Sequence, residues 1–269
     1  MDLGLTEIQQ MLKTSAQDFL SRECPLTLVR EMEEDPRGFT DELWRQMINL
    51  GWTGVAFPEQ YGGTGGNFAD LGVLLEEIGR SLAPAPFFST VVLGGMTVLD
   101  AGSDAQKNDL ISRICAGTII MTMAVPEAAA AYEPWDIQAT ASQQGGGYEI
   151  TGSKLFVPDA EAADVIIVAA RTSSGQDPAD GVSLFLVPSG TAGLTITPMR
   201  SVGNEKVFEV SLDKVNVAAD SALGAVDEAW PIVERSIQRA TAAQCIQMLG
   251  GAEAVLDMTV EYAKGRTQF

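Results

Sequence analysis

Apolar residues near the start of the chain recur every three or four positions. Ile8, Met11, Leu12, Ala16, Phe19 and Leu20 keep an i, i+3, i+4 rhythm. Thr6 and Gln9 ahead of them form a capping-box signature, so a helix is expected from about residue 5. Leu43, Trp44, Met47 and Ile48 predict a second helix over 41–50 that stops at Gly51. Leu71, Leu74, Leu75 and Ile78 stripe a third over 68–81, with Pro84 past its end. The segments 89–101 and 105–114 read as two more. The rhythm then shortens. Segment 148–156 follows a triple glycine at 145–147, which suits a hairpin turn, and 164–170 is an almost unbroken apolar run, as in a buried strand. Segment 182–187 is another strand, closed by Pro188, and Phe208, Val210 and Leu212 alternate with Glu209, Ser211 and Asp213. Short strands at this spacing predict a small barrel or sandwich. After Asp227 helical spacing returns and persists through Val233, Ile237, Cys245, Met248, Leu249, Ala252, Leu256, Val260 and Ala263, with Pro231 near the start where a missing N–H is tolerated. The expected class is α+β multidomain: a helical domain over 1–117, a β-domain over 118–225 and a long helix over 226–269.

Composition narrows the chemistry. With 46% apolar and 20% charged residues in 269, a sizeable core is expected. Lys plus Arg total 17 against 36 Asp plus Glu, a formal charge of -19, which repels nucleic-acid phosphates and anionic lipid alike. There is no histidine, so Ser-His-Asp and Cys-His nucleophile systems and His-ligated zinc are excluded. Cys24, Cys115 and Cys245 are far apart, form no CxxC pair and read as small buried hydrophobes in a reducing compartment, with no metal site indicated. The N-terminus lacks the basic and apolar regions of a secretory signal, and no stretch reaches the length of a membrane span. A cytoplasmic protein is expected.

Three motifs, in order, resemble the acyl-CoA dehydrogenase family. Gly51-Trp52 with Pro58-Glu59-Gln60-Tyr61-Gly62-Gly63 and Glu76-Glu77-Ile78-Gly79-Arg80 resemble its GW…PEeyGG…EElGr signature. Gly152-Ser153-Lys154 with Phe156 resembles its G-x-K-x-W strand, and Tyr262-Ala263-Lys264-Gly265-Arg266-Thr267-Gln268-Phe269 its YAxxRxQF helix end. The resemblance implies an N-terminal helical domain, a middle β-barrel and a C-terminal helical bundle, of which this sequence includes the first helix. It implies FAD as cofactor, an acyl-CoA thioester as substrate, electron-transfer flavoprotein as acceptor, a role in fatty acid or lipid catabolism, and a homo- or hetero-oligomer.

The reaction it implies is α,β-dehydrogenation: a carboxylate removes the α-proton and hydride leaves the β-carbon for the flavin. The family's usual base falls beyond Phe269, and its alternative place falls on Ala240, which takes no proton; no catalytic residue is assigned. Glu234 reads as a solvated charge. In the flavin-contacting segments the family's Thr becomes Pro126, its Ser becomes Tyr132, its Trp becomes Phe156, its Ile becomes Val157 and its second Thr becomes Pro158. Phe156 can still stack on a flavin ring, and the N–H groups of Ala124, Val125 and Val157 can bond one, whereas the two prolines offer neither hydroxyl nor N–H. Arg266, Gln268 and Phe269 are the implied contacts to the cofactor's pyrophosphate and adenine across a subunit interface, a task for which a planar guanidinium is suited. The substitutions leave two functions open, a dehydrogenase and a non-catalytic subunit of a heteromeric enzyme, with an acyl-CoA oxidase as a third. The remaining features read structurally: the glycines at 62, 63, 65 and 66 as a loop, Trp44 and Trp52 as core, the methionines as packing, and Glu76 and Glu77 as helix-surface partners of Arg80.

Overall fold

The computed structural model describes residues 4–203 and 205–268. Helix α1 (Glu7–Glu23) starts on the expected capping box, with Thr6 accepting from the Gln9 backbone and the Gln9 side chain reaching back. Its inward stripe is narrower than the sequence pattern: Ala16, Phe19 and Leu20 are buried, while Ile8 and Met11 are exposed. A short helix α2 (Leu26–Glu34), which periodicity did not announce, follows. Helix α3 (Asp41–Asn49) is capped by Thr40 and ends before Gly51, whose φ of 76° makes the left-handed exit. Helix α4 (Phe68–Ser81) is capped by Asn67 and buries Leu71, Leu74, Leu75 and Ile78. Trp44, Trp52 and Phe57 lie in the core between these helices.

The two helices expected next are both interrupted. Phe88–Gly95 is a π-helical segment that continues as α5 (Met96–Ala101). A single turn α6 (Asp104–Gln106) runs through a second π-helical stretch, Lys107–Ile111, into α7 (Ser112–Cys115). Such widened turns frequently mark functional positions.

Among the described residues the β-region is one curled mixed sheet: β1 (Met121–Ala124), β2 (Thr140–Gln144), β3 (Gly147–Pro158), β4 (Val165–Arg171), β5 (Val182–Pro188), β6 (Leu194–Met199) and β7 (Val207–Ala218). The β2–β3 hairpin turns at Gly145 and Gly146, both at positive φ, as the triple glycine predicted. Strand β4 carries β5 antiparallel on one edge, and on the other β1 and then β2, both parallel. The long β3 pairs β7, and β7 pairs β6. Strands β1, β2 and β6 are short, and β2 is mostly polar, so alternation alone did not reveal them. Phe208, Val210 and Leu212 point into the β-core as expected.

Helix α8 (Trp230–Gly265) is a single 36-residue rod. It lies against α4 through glycines: a Cβ on Gly250 would overlap the Glu76 carbonyl, and one on Gly79 would overlap the Gln247 carbonyl. Beyond that crossing Val255, Leu256, Met258 and Tyr262 are exposed. Arg80 marks the crossing, but not as the sequence suggested. It pairs with Asp257 and Glu253 of α8, Glu76 pairs with Lys13 at 2.6 Å, and Glu77 is buried under the Gln17 amide. Long-range partners outcompete the i+3 and i+4 neighbours because α1 and α8 flank α4. No helix among the described residues is long and apolar enough to cross a membrane.

Candidate active site

Five of the residues singled out in the sequence meet on one wall of a cleft of about 500 Å³: Val125, Pro126, Tyr132, Phe156 and Pro158. The facing wall is α8, which presents Ile237, Ala240, Thr241, Gln244, Cys245 and Met248. Phe88 and Leu93 of the π-helical segment and Met123 of β1 close the third side. Most of the surface is apolar.

Each side chain reaches this wall for a local reason. The register of β3 against β7 slips between Lys154 and Val157, a bulge. At the bulge Phe156 adopts φ 55°, so its ring turns out into the cleft while Val157 stays buried in the β-core. The Phe156 N–H donates only to Met199 Sδ, at 3.5 Å, and sulfur is a weak acceptor. Behind the wall, Pro126 and Pro158 are fixed by their carbonyls. Leu155 N–H donates to Pro126 (2.8 Å) and the Thr122 hydroxyl to Pro158 (2.7 Å).

The segment between Pro126 and Ala139 is pinned at both ends. Lys154, with no exposed surface, donates to Glu127 Oε1 at 2.6 Å and to the Val125 carbonyl at 3.1 Å. The Glu127 carboxylate also accepts the N–H groups of Gln138 and Ala139. Arg171 completes the frame, its guanidinium donating to the carbonyls of Pro134, Ile137, Pro178 and Asp180 at 2.6–3.2 Å. Tyr132 stands on the loop so held. Its phenol makes no hydrogen bond to any described residue, and the partial desolvation of this half-exposed side chain against the cleft raises its pKa.

The structure revises several expectations. The side chains of Ala124 and Val157 face the β-core rather than the cleft, so only their backbones are near it. Cys24 is buried and Cys115 partly so, but Cys245 is exposed on the cleft face of α8, where nothing among the described residues covers it. Met248 is exposed on the cleft, and Met123, packed in the core as expected, also contributes to its lining. Arg266 lies eighteen residues past Met248, roughly 27 Å further along α8. It is held by its own helix: Nη1 donates to the Tyr262 hydroxyl (2.7 Å), and with the Gln268 amide turned to present its oxygen, Nε donates to that oxygen at 2.7 Å. Phe269 lies outside the described residues. Ala240 faces the cleft, so α8 presents no carboxylate there. Glu205 is the one carboxylate lining it among the described residues, on the same side as Val207, where it accepts from the Ser201 hydroxyl at 2.7 Å. Sequence reasoning missed Phe88, Leu93 and Met123; the segment 89–101 read as a plain helix, whereas Phe88 and Leu93 lie on a π-helical stretch and Met123 on β1. No group of three or more His, Cys, Asp or Glu residues able to hold a metal exists among the described residues.

Comparison with known proteins accounts for this architecture. Residues 6–118 match the acyl-CoA dehydrogenase N-terminal domain and residues 122–215 the acyl-CoA dehydrogenase middle domain. The short-chain-specific acyl-CoA dehydrogenase of Megasphaera elsdenii is 31% identical over all of this chain and 72% of its own length. The crystal structure of butyryl-CoA dehydrogenase from Megasphaera elsdenii superposes with a TM-score of 0.90 at 29% identity, over the whole chain and 72% of that structure. The ChsE4–ChsE5 complex from Mycobacterium tuberculosis gives 0.88 at 28% identity, over the whole chain and 70% of that structure. The order of helical segment, curled sheet and long helix is shared with these proteins, and the chain belongs to the acyl-CoA dehydrogenase family.

Proposed function

We propose that this chain binds FAD and an acyl-CoA thioester in the cleft and takes part in α,β-dehydrogenation of the acyl group. The observation that carries the reading is the meeting of Val125, Pro126, Tyr132, Phe156 and Pro158 opposite α8. The residues fit a flavin ring at its faces and on part of its edge. Phe156, Pro126 and Pro158 offer flat apolar surfaces, and the Phe156 N–H, engaged only by sulfur, is a donor ready for a better acceptor. FAD, when bound, supplies the hydride acceptor that a protein side chain cannot. The chain's own part is to orient and to exclude water: Leu93, Met123 and Ile237 line an apolar bed for the acyl chain. Tyr132 and Gln244 carry polar groups without hydrogen bonds to described residues, available to a thioester carbonyl that must be polarised before its α-proton can leave. Glu205 stands on the same wall as Phe156 and Pro158, so it does not serve as a base from the opposite side of the substrate.

A second reading is favoured by Ala240 and the two prolines: a subunit that shares its cleft with a catalytic homologue, as a non-catalytic member of a heteromeric acyl-CoA dehydrogenase. Titration of the full chain with FAD, followed by quenching of flavin fluorescence, tests both. Saturable binding, with bleaching of the visible flavin band on anaerobic addition of an acyl-CoA series, supports the first reading. Binding that appears only with a co-purifying homologue supports the second. No binding under either condition overturns the flavin assignment. Electron-transfer flavoprotein is the proposed acceptor, read out by its reduction in the same mixture.

A further inference from the structure

Two cleft-lining residues on different elements, Phe88 of the π-helical segment and Pro158 at the end of β3, are each followed by a residue that joins the seam behind them. The Ser89 hydroxyl, fully buried, has the Pro86 carbonyl at 3.1 Å and Asp159 Oδ2 at 2.6 Å, and its single proton goes to the shorter contact, the carboxyl group. That distance is typical of a hydroxyl on an ionised carboxylate. Asp159 is locked in place by its backbone: φ is 51°, its N–H donates to the Lys206 carbonyl, and its own carbonyl accepts from Ala162 and Ala163. The seam holds two more hydroxyls, Thr90, which accepts from Met121 N–H at 3.4 Å, and Thr122, which donates to the Pro158 carbonyl. Asp159 is the one ionisable member. The groups facing it are the neutral π-helical segment and β1, together with Glu33 of α2 and Glu205 and Lys206 of the β6–β7 loop, which share an adjoining cavity of about 450 Å³. None of these forms an ion pair with it among the described residues, and Lys206 Nζ is turned to the Glu33 carbonyl.

We infer that Asp159 is a positioning residue whose carboxyl group, through Ser89, fixes the spacing of Phe88 and Pro158 and so the shape of the cleft. What the cleft receives rests on the function proposed above; the latch itself does not. Partial burial at the edge of the adjoining cavity, which Asp159 itself lines, pushes its pKa up to about 6, against which the Ser89 hydroxyl is a smaller opposing influence. A carboxyl released into water by opening of the latch would return to the ordinary, lower pKa, so the closed latch is favoured in mild acid and opens more readily at neutral pH. Asp159→Asn keeps shape and an acceptor oxygen but has no charge at any pH, and Ser89→Ala removes the donor.

Hydrogen exchange of the full-length protein tests this without flavin or substrate. After correction for intrinsic rates, the amides of 88–95 and 156–160 in the natural chain should gain protection several-fold as pH falls from 7.5 to 5, with the rise setting in near 6. Asp159→Asn, with nothing to titrate, should show no such rise, and Ser89→Ala should show weaker protection throughout. Binding of a saturated acyl-CoA, followed calorimetrically, should tighten over the same pH range in the natural chain and lose that dependence in Asp159→Asn. A flat exchange profile in the natural chain, or the same rise in Asp159→Asn, overturns the inference and leaves Asp159 as a structural polar residue only. Exchange that behaves as expected while acyl-CoA fails to bind leaves the latch standing and overturns the reading of the cleft.

Discussion

Lys154 and Glu127 form an ion pair at 2.6 Å in which neither side chain exposes more than 9% of its surface. Each comes from a segment that sequence reasoning had set aside for the flavin, and the contact ties strand β3 to the loop after β1. A charge at either position without the other would be stranded in a dry setting.

Glu127→Ala should accordingly destabilise the protein by about 3–5 kcal/mol, because it leaves the ammonium buried with only the Val125 carbonyl and releases two backbone N–H groups. Replacing both, Glu127→Gln with Lys154→Met, should be markedly milder. Urea unfolding of the three proteins checks the ordering; equal losses for single and double variants would show that the pair does not act as a unit.

Stability should also respond to pH through Asp159. Its pKa is about 6 when folded against a model value of 3.8, so between those values the folded state holds the proton that the unfolded state has released, and stability falls as pH rises. The penalty is complete above pH 6 and absent below 3.8. Asp159→Asn should raise stability at pH 8, by at most about 3 kcal/mol, and leave it unchanged at pH 4. Thermal melts at the two pH values decide it.

Pro126→Thr together with Pro158→Thr should restore side-chain donors to the cleft wall. Two hydrogen bonds at about 0.5–1.5 kcal/mol each correspond to roughly 5- to 150-fold tighter FAD binding. Fluorescence quenching measures it, and unchanged affinity would mean the prolines are not at the flavin edge.

The thiols should separate by reactivity. Burial pushes Cys24 and Cys115 up to about 11, so at pH 8 only roughly one thiol in a thousand is ionised at either site. Cys245 is exposed on the cleft. Ellman's reagent should label one thiol rapidly, Cys245→Ser should abolish that phase, and an acyl-CoA bound in the cleft should slow it.

Gly250→Val should force α8 off α4, since even a Cβ overlaps the Glu76 carbonyl. A loss of about 1–3 kcal/mol or more is expected from such overpacking, together with weaker acyl-CoA binding because one cleft wall is displaced. A variant of natural stability and affinity would show that the crossing is not tight.

What the sequence determined by itself was local. The Thr6 capping box, the 68–81 stripe, the hairpin glycines and the alternation through Phe208, Val210 and Leu212 each depend on near neighbours in the chain, and each appears in the fold as read. The motif order pointed to the family, and the flavin-segment residues with apolar side chains beyond the β-core did gather in one cleft. Tertiary structure decided the rest because the deciding partners are distant. Arg80 left its i+3 and i+4 neighbours for Asp257, 177 positions away, once α8 crossed α4. Phe156 entered the cleft through a bulge set by β7, and Phe88 and Leu93 through a π-helical offset that no period of 3.6 announces. Asp159 acquired its raised pKa from the desolvation that packing imposes, and its hydrogen-bond partner Ser89 lies 70 residues earlier in the chain. Periodicity records which face of an element avoids water; it carries no information about which other element will cover that face, and the cleft is made where several such faces meet.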